Sequence, residues 1–123
     1  MPVILGLWSA TVGAGPAASD GGPQFIAMDR IVVPIVGSGR LEGAMHLKIV
    51  VSATDAAALA RLTSRLPELR AVSVAGAIEF SRLHASVRTP VNAAQLRAAL
   101  TAALHATDEG VADALIVEVS AVA

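Results

Sequence analysis

The side chains that could carry out chemistry in this sequence are few and far apart. It has three histidines, His46, His84 and His105. No two of them are spaced i, i+4 as a helical metal site would require, so we predict surface or helix-end imidazoles. The absence of cysteine excludes thiolate ligands, cysteine nucleophiles and disulfide bonds. No serine lies in a Gly-x-Ser-x-Gly elbow. We therefore predict a protein that is not an enzyme and has no catalytic, cofactor-binding or metal-binding residues.

Two carboxylates invite a functional interpretation. Glu79 lies beside Phe80 in a predicted helix, and Arg82 follows three residues later. The ordinary interpretation is a solvated i, i+3 ion pair, with a functional carboxylate as the alternative. Glu118, in the last predicted strand, is expected at a surface position.

A glycine pair is the remaining motif that could indicate a ligand. Gly37, Ser38 and Gly39 resemble the start of a dinucleotide fingerprint, but Glu42 occupies the place of its third glycine. A predicted strand follows where that fingerprint needs a helix N-terminus for phosphate. The motif therefore predicts a hairpin turn.

Composition limits the class of protein and its partners. Hydrophobic residues make up 54% of the 123 positions and charged residues 15%, which predicts a packed single domain. The net charge is −1 and aromatic residues are only 2%, so neither a phosphate-binding patch nor a base-stacking surface is expected. We predict no nucleic-acid partner.

The first 24 residues differ from the rest. Residues 1–8 contain an apolar run that is too short to span a bilayer, and the first arginine is Arg30. A signal remnant, the end of a truncated membrane anchor and a merely apolar tail all remain open. Residues 9–23 are rich in Gly, Ala, Ser and Pro and predict a flexible linker. We therefore predict an apolar start and linker over 1–24 and a single domain over 25–123.

The domain is predicted to start with a β-hairpin and end with a strand. Residues 26–36 and 41–53 are β-rich and flank the glycine turn, and Pro34 indicates an edge or a bulge in the first strand. Residues 111–122 are apolar on both faces, which predicts an interior strand. One face of the second strand is expected to carry Leu41, Met45, Leu47, Ile49 and Val51.

Three helical stretches are predicted between these strands. The first follows a cap at Thr54 or Asp55 and breaks at Pro67, and the second runs from 67 to about 83. The third begins near Pro90, with Thr89 or Asn92 as its cap. Helical spacing predicts buried stripes of Leu59, Leu62, Leu66 and Leu69, then of Leu69, Val72, Gly76, Phe80 and Leu83, and finally of Leu96, Leu100 and Leu104. The fold class is therefore α+β, with antiparallel strands (an N-terminal hairpin plus a C-terminal strand) packed against two or three helices.

This layout resembles a known family over about four-fifths of the chain. The points of similarity are a strand ending in Val33, Pro34, Ile35 and Val36, a central strand with Leu47, Lys48, Ile49, Val50 and Val51, a Pro-x-Leu-Arg pattern at Pro67, Glu68, Leu69 and Arg70, the helix of Asn92, Ala93, Ala94, Gln95, Leu96, Arg97 and Leu100, and the closing strand of residues 111–119. With these motifs the chain resembles the FliL family, the flagellar basal body-associated proteins.

The resemblance implies a stomatin-like α+β domain on the periplasmic side of the bacterial inner membrane, joined to a membrane anchor by a flexible linker. It also implies homo-oligomers and contact with the flagellar stator. The sequence departs from the family at its N-terminus, which has no full membrane span, and at Pro90, Val91 and Asn92, where the family often has Gly-Lys. Membrane association is therefore expected only through a missing or truncated N-terminal anchor.

We expect a non-catalytic protein-interaction module associated with the flagellar motor or basal body. The alternative is a small periplasmic or secreted binding or structural protein that reuses the fold without a flagellar role.

Overall fold

The computed structural model describes residues 24–123, and the predicted apolar start and linker before Gln24 lie outside the described residues. The elements follow the order β1 (Gln24–Ala27), β2 (Ile31–Gly37), β3 (Arg40–Ala53), α1 (Ala56–Ser64), α2 (Leu66–His84), α3 (Ala93–Thr107) and β4 (Val111–Val122). The predicted α+β class with antiparallel strands packed on helices is confirmed.

The sheet is built around β3. Strand β4 pairs antiparallel along one side of it. On its other side, β1 pairs with the C-terminal end of β3 and β2 with its N-terminal half, so β1 and β2 lie end to end. The three helices pack on one face of this sheet, α1 beside β1, α2 on β2 and α3 on β4.

The hairpin between β2 and β3 forms as the glycine motif predicts. Gly37 pairs with Arg40, and the two residues between them have positive φ angles, 53° at Ser38 and 76° at Gly39. Two consecutive positive φ angles are typical of the type I′ turn, whose twist matches that of the flanking strands. The motif is therefore a hairpin turn.

The first predicted strand is interrupted, which corrects the expectation of one strand over 26–36. Met28 donates its backbone N–H to the Ile49 carbonyl at 3.1 Å and is buried. The next two carbonyls, of Asp29 and Arg30, accept hydrogen bonds of 2.8 and 3.1 Å from the guanidinium of Arg70 on α2. Because this side chain takes their carbonyls, the chain leaves the ladder between β1 and β2.

The closing strand is found at residues 111–122, but among residues 24–123 it pairs only with β3. It is therefore an edge strand of the described domain, and the predicted interior position is wrong. Apolar residues occupy both of its faces because one face packs against the helices and the other belongs to the apolar part of the side without helices. Ala114 is buried on the helical side, whereas Val122 is half exposed on the side that carries no helix.

The helix boundaries follow their capping residues. Asp55 Oδ1 accepts the Ala58 N–H at 2.7 Å at the start of α1. The predicted break at Pro67 separates α1 from α2, and this proline lies in the first turn of α2. Asn92 Oδ1 accepts the Gln95 N–H at 3.0 Å, so Asn92 rather than Thr89 caps α3.

The core consists of the helix-facing side of the sheet and one stripe of each helix. Leu62 and Leu69 are buried, while Leu59 and Leu66 pack at the margin of the core. The stripe of α3 is as predicted, whereas that of α2 differs. The buried residues of α2 are Leu69, Ser73, Ala77, Phe80 and Ser81, and those of α3 are Leu96, Leu100 and Leu104.

Small residues explain the difference in α2. Ser73 and Ser81 are buried because their hydroxyls donate to the carbonyls of Leu69 at 2.8 Å and Pro34 at 2.6 Å. These hydrogen bonds let α2 turn small residues toward the sheet, and predicted Leu83 is left 56% exposed. Leu41, predicted on the core face of β3, is also exposed. Leu41 lies beyond the register shift between Ile35 and Val36 and pairs with Val36. Both side chains therefore lie on the face of the sheet opposite the core.

Candidate functional site

The surface that stands out lies on the side of the sheet opposite the helices. Core-facing Met45, Leu47 and Ile49 alternate along β3 with residues that face this other side. We call this surface the open face and define it by its apolar side chains. These are Phe25, Val32, Val50, Leu115 and Val122, with Val36 and its strand partner Leu41 at the margin, where Val36 also lines a cleft with Ile78 of α2.

The strand pairing brings these side chains together. Val50 pairs with Leu115, and both are only partly exposed. Val32 is 55% exposed and Phe25 50%, each on a strand beside β3. A water-facing side of an antiparallel sheet is normally polar, with alternation between apolar and polar residues along each strand. The same face also carries His46, Lys48, Ser52, Glu118 and Ser120, so it is mixed in character. Its exposed apolar side chains are what departs from the polar pattern of a solvated sheet face.

A row of charged residues crosses the open face near the middle of β3, and we call it the charged belt. It consists of Arg30, Lys48 and Glu118, with Lys48 and Glu118 paired across β3 and β4. The Arg30 guanidinium lies 3.3 Å from a Glu118 carboxylate oxygen, and both side chains are more than half exposed. Such a pair contributes little stability because solvent screens it. The pair instead places charges of both signs near the middle of the open face.

Glu118 is thus at a surface position, as the sequence predicts, but its place within the open face could not be read from alternation alone. The belt forms because the interruption between β1 and β2 places Arg30 beside β3. That interruption depends on Arg70, a residue 40 positions away in sequence.

The histidines lie on three different elements. His46 lies in β3 and pairs with Ser120 on the open-face side. His84 ends α2 and packs its ring against Phe80, with 5.1 Å between ring centroids. His105, near the end of α3, has Nδ1 2.9 Å from the Val111 carbonyl oxygen. Residues 24–123 contain no group of three or more His, Asp or Glu side chains that could hold a metal ion.

Glu79 lines a cleft of about 350 Å³ between α2 and α3, together with His84 and Gln95. Its carboxylate accepts a hydrogen bond of 2.6 Å from Arg82. The carboxylate and the guanidinium are both more than half exposed. This is the solvated i, i+3 pair that the sequence favours.

The ion-pair cluster around buried Asp108 was not predicted from the sequence. The Asp108 side chain is only 4% exposed, and it accepts hydrogen bonds of 3.0 and 2.8 Å from Arg61 and 2.8 Å from Arg65. It also accepts the backbone N–H of Gly110 at 2.8 Å. Hydrogen bonds from Arg61 and Gly110, followed by that from Arg65, hold the pKa of Asp108 far below its ordinary range. The carboxylate thus joins the α1–α2 corner to the turn before β4.

A second cluster fixes α3 to β4. Asp113 accepts hydrogen bonds from both nitrogens of the Arg97 fork and, at 2.8 Å, from the Thr101 hydroxyl. Arg97 is the main cause of the lowered pKa of Asp113. The Thr101 hydroxyl in turn accepts the Ala114 N–H at 3.0 Å. Since Asp108 and Asp113 are both saturated by arginines, they act as structural anchors.

Comparison of the chain with family models, curated proteins and solved structures found no match. The FliL resemblance therefore stays a prediction. No helix within residues 24–123 has both the length and the apolar character needed to cross a membrane.

Proposed function

We propose that this chain is a non-catalytic protein-interaction module that binds a protein partner through its open face. Following the FliL resemblance, we further propose that it acts on the periplasmic side of the bacterial inner membrane, where it associates with the flagellar motor or basal body. The observation that carries the proposal is the open face itself.

The chemistry of the open face suits a protein partner. Its exposed valines and Phe25 form an apolar surface, and burial of such surface is the main favourable term in protein association. The charged belt supplies polar groups of both signs, Arg30 and Lys48 against Glu118. A rigid sheet presents these groups at fixed spacing, so a complementary partner can bind without ordering the surface first.

The free edge of β4 supports self-association in the same proposal. Within residues 24–123 no strand pairs with its outer side. At its start this edge is covered, because Thr101 accepts the Ala114 N–H and His105 contacts the Val111 carbonyl. Further along, the edge is exposed only around Val117, where a bulge interrupts the ladder, because residues 87–91 lie beside it again at Val119, Ser120 and Ala121. Unpaired strand edges are templates for pairing with another chain, and a second copy would add its strand there.

Photo-cross-linking in cells tests the partner and the surface together. A photoreactive residue would replace Val32 on the open face, Val117 on the edge strand or Leu83 on α2. The three positions are matched in exposure, at 55%, 61% and 56%. We expect adducts with flagellar motor or basal-body proteins at position 32, adducts with a second copy at position 117, and neither at position 83.

Three results would count against the proposal. Equal adducts at positions 32 and 83 would remove the open face as the binding surface. Adducts at position 32 only with proteins unrelated to the flagellum would favour the alternative of a binding protein without a flagellar role. The absence of a double-mass adduct at position 117 would remove self-association through β4.

A further inference from the structure

The described sheet has two outer edges, one formed by β4 and the other by β1 and β2 end to end. An unpaired strand edge exposes backbone N–H and C=O groups that can pair with the strand of another chain. The two edges differ in how much of their backbone is left free. That difference limits how copies of this chain can associate through their sheets.

The β2 edge is blocked by its own proline and by α2. Pro34 lies in the middle of β2 and has no N–H to donate. Its carbonyl accepts the Ser81 hydroxyl of α2 at 2.6 Å, so it points away from β3 and is already occupied. Just before β2, the carbonyls of Asp29 and Arg30 accept hydrogen bonds from Arg70 of α2. A strand added along β2 would find no donor at its centre and an acceptor that α2 already uses.

The rest of this edge is β1, which has only four residues and has α1 packed beside it. Very short edge strands and edges covered by a helix resist the addition of another strand. The outer edge is therefore protected along both β1 and β2. Within residues 24–123, β4 is the edge that remains available for pairing.

The available part of β4 is short and lies around Val117. Before it, the Thr101 hydroxyl accepts the Ala114 N–H, and after it residues 87–91 lie beside the strand. When two identical strands pair antiparallel about a two-fold axis, the part before the axis in one copy pairs with the part after it in the other. An axis near Val117 therefore brings the two uncovered stretches together.

The side chains near this axis suit a second copy. Ile116 and Val119 are partly buried at the margin of the core, on the helical side of the sheet. Ile116 of one copy would approach Val119 of the other, and such cross-strand apolar pairs stabilise a sheet. On the other side each Glu118 keeps its hydrogen bond from Arg30 and its place opposite Lys48, so neither carboxylate is left without a cation.

We propose that two copies of this chain pair through β4 about a two-fold axis near Val117, and that association through the sheet edges ends at two copies. The proposal rests on the self-association in the proposed function and adds its geometry and its limit. An isologous pair uses the same surface on both copies, so it leaves no available edge for a third. The two four-stranded sheets become one, with the helices on one side and both open faces together on the other.

The mass of the full chain in solution tests the limit of two copies. Light scattering after size exclusion is expected to approach twice the mass of one chain as the concentration rises to high micromolar, and to stay there. Val117→Lys is expected to remain at the mass of one chain, because a charge on an edge strand opposes pairing. Leu83→Lys is the control of similar exposure and should dimerise like the unmodified chain. A mass that stays at one copy or climbs beyond two would overturn the proposal, as would unchanged dimerisation of Val117→Lys.

A single cysteine locates the axis, since the sequence has no cysteine of its own. Residues close to a two-fold axis meet their own copies within the reach of a disulfide bond. Under mild oxidation, Val117→Cys is therefore expected to form a disulfide-linked dimer severalfold faster than Leu83→Cys. Equal rates for the two variants would remove the axis from Val117.

Opening the protected edge tests why association stops. Pro34→Val with Ser81→Ala gives β2 an N–H and removes the hydroxyl that occupies the carbonyl. We expect this variant to form species heavier than two copies. Thermal unfolding by circular dichroism verifies its fold, and Ser81→Ala alone, with a smaller shift in the same direction, serves if the double variant does not fold. A folded variant that still stops at two copies would contradict the protective role of this edge. None of these measurements involves the partner, so binding through the open face is decided separately by cross-linking at position 32.

Discussion

Replacing Leu100 by alanine is expected to lower the free energy of unfolding by about 2–5 kcal/mol, the usual cost of a large-to-small change in a well-packed core. Leu100 is fully buried in the middle of the apolar stripe of α3. A Cβ atom at Gly76 of α2 would lie 3.0 Å from Leu100 Cδ2, so the backbone of α2 already packs against the tip of this side chain. Alanine removes that contact, and because Leu96 and Leu104 stay buried on either side of position 100, we expect a cavity to remain.

Urea unfolding followed by circular dichroism measures this loss. Leu83→Ala is the matched control, because the same three carbons are removed from a side chain that is 56% exposed. We expect the control to change the free energy of unfolding by less than about 0.5 kcal/mol. Equal losses for the two variants would mean that α3 does not pack against α2 as described.

Replacing Asp108 by asparagine is expected to lower the thermal midpoint by several degrees. The change removes the negative charge that holds Arg61 and Arg65, and it leaves fewer acceptors for the Gly110 N–H and the two guanidiniums. Glu68→Gln is the control, since Glu68 also binds Arg65 but is more than half exposed. We expect its effect to be clearly smaller, because exposed pairs contribute little.

The effect of Asp108 should also depend on pH in a defined direction. The folded-state pKa of Asp108 is depressed by Arg61, so the stabilisation is complete above the unfolded-state pKa of about 4. As the pH falls below about 4, the unfolded state takes up the proton first, and the contribution is lost. The gap between the native chain and Asp108→Asn should thus be constant near neutral pH and shrink in acid. A difference in stability between the two chains that widens in acid would contradict the anchoring role of Asp108.

The sequence predicted the individual helices, strands and turns better than the contacts between them. Leu96, Leu100 and Leu104 recur at helical spacing, and the same residues form the buried stripe of α3. The turn at Ser38 and Gly39 was equally readable, since its glycines and its flanking strands are local signals. Local spacing sufficed in both cases because neighbours along the chain determine the outcome.

What could not be predicted depends on contacts distant in sequence. The burial of Asp108 is one example, because it follows from two arginines 43 and 47 positions away. The interior position expected for β4 rested on its two apolar faces, but that pattern cannot distinguish an interior strand from an edge strand with an uncovered apolar side. A run such as Leu115, Ile116 and Val117 gives no sign of which neighbours are missing.

The open face was missed for the same reason. Val32 and Val36 read as ordinary strand residues, and only the placement of all three helices on the other side leaves them exposed. The candidate site is therefore a consequence of topology rather than of any motif. Its apolar character was visible in the high hydrophobic fraction of the sequence, but its position was not.

Swimming of a flagellated bacterium that encodes this chain tests the central proposal, that the open face binds a partner in the flagellar motor or basal body. A deletion strain would carry the native gene, the double variant Val32→Lys with Val36→Lys, or Leu83→Lys, each verified to accumulate to the same level and to retain its thermal midpoint. We expect the native chain and Leu83→Lys to restore swimming and the double-lysine variant to fail. Normal swimming of the deletion strain, or equal rescue by all three chains, would contradict the claim.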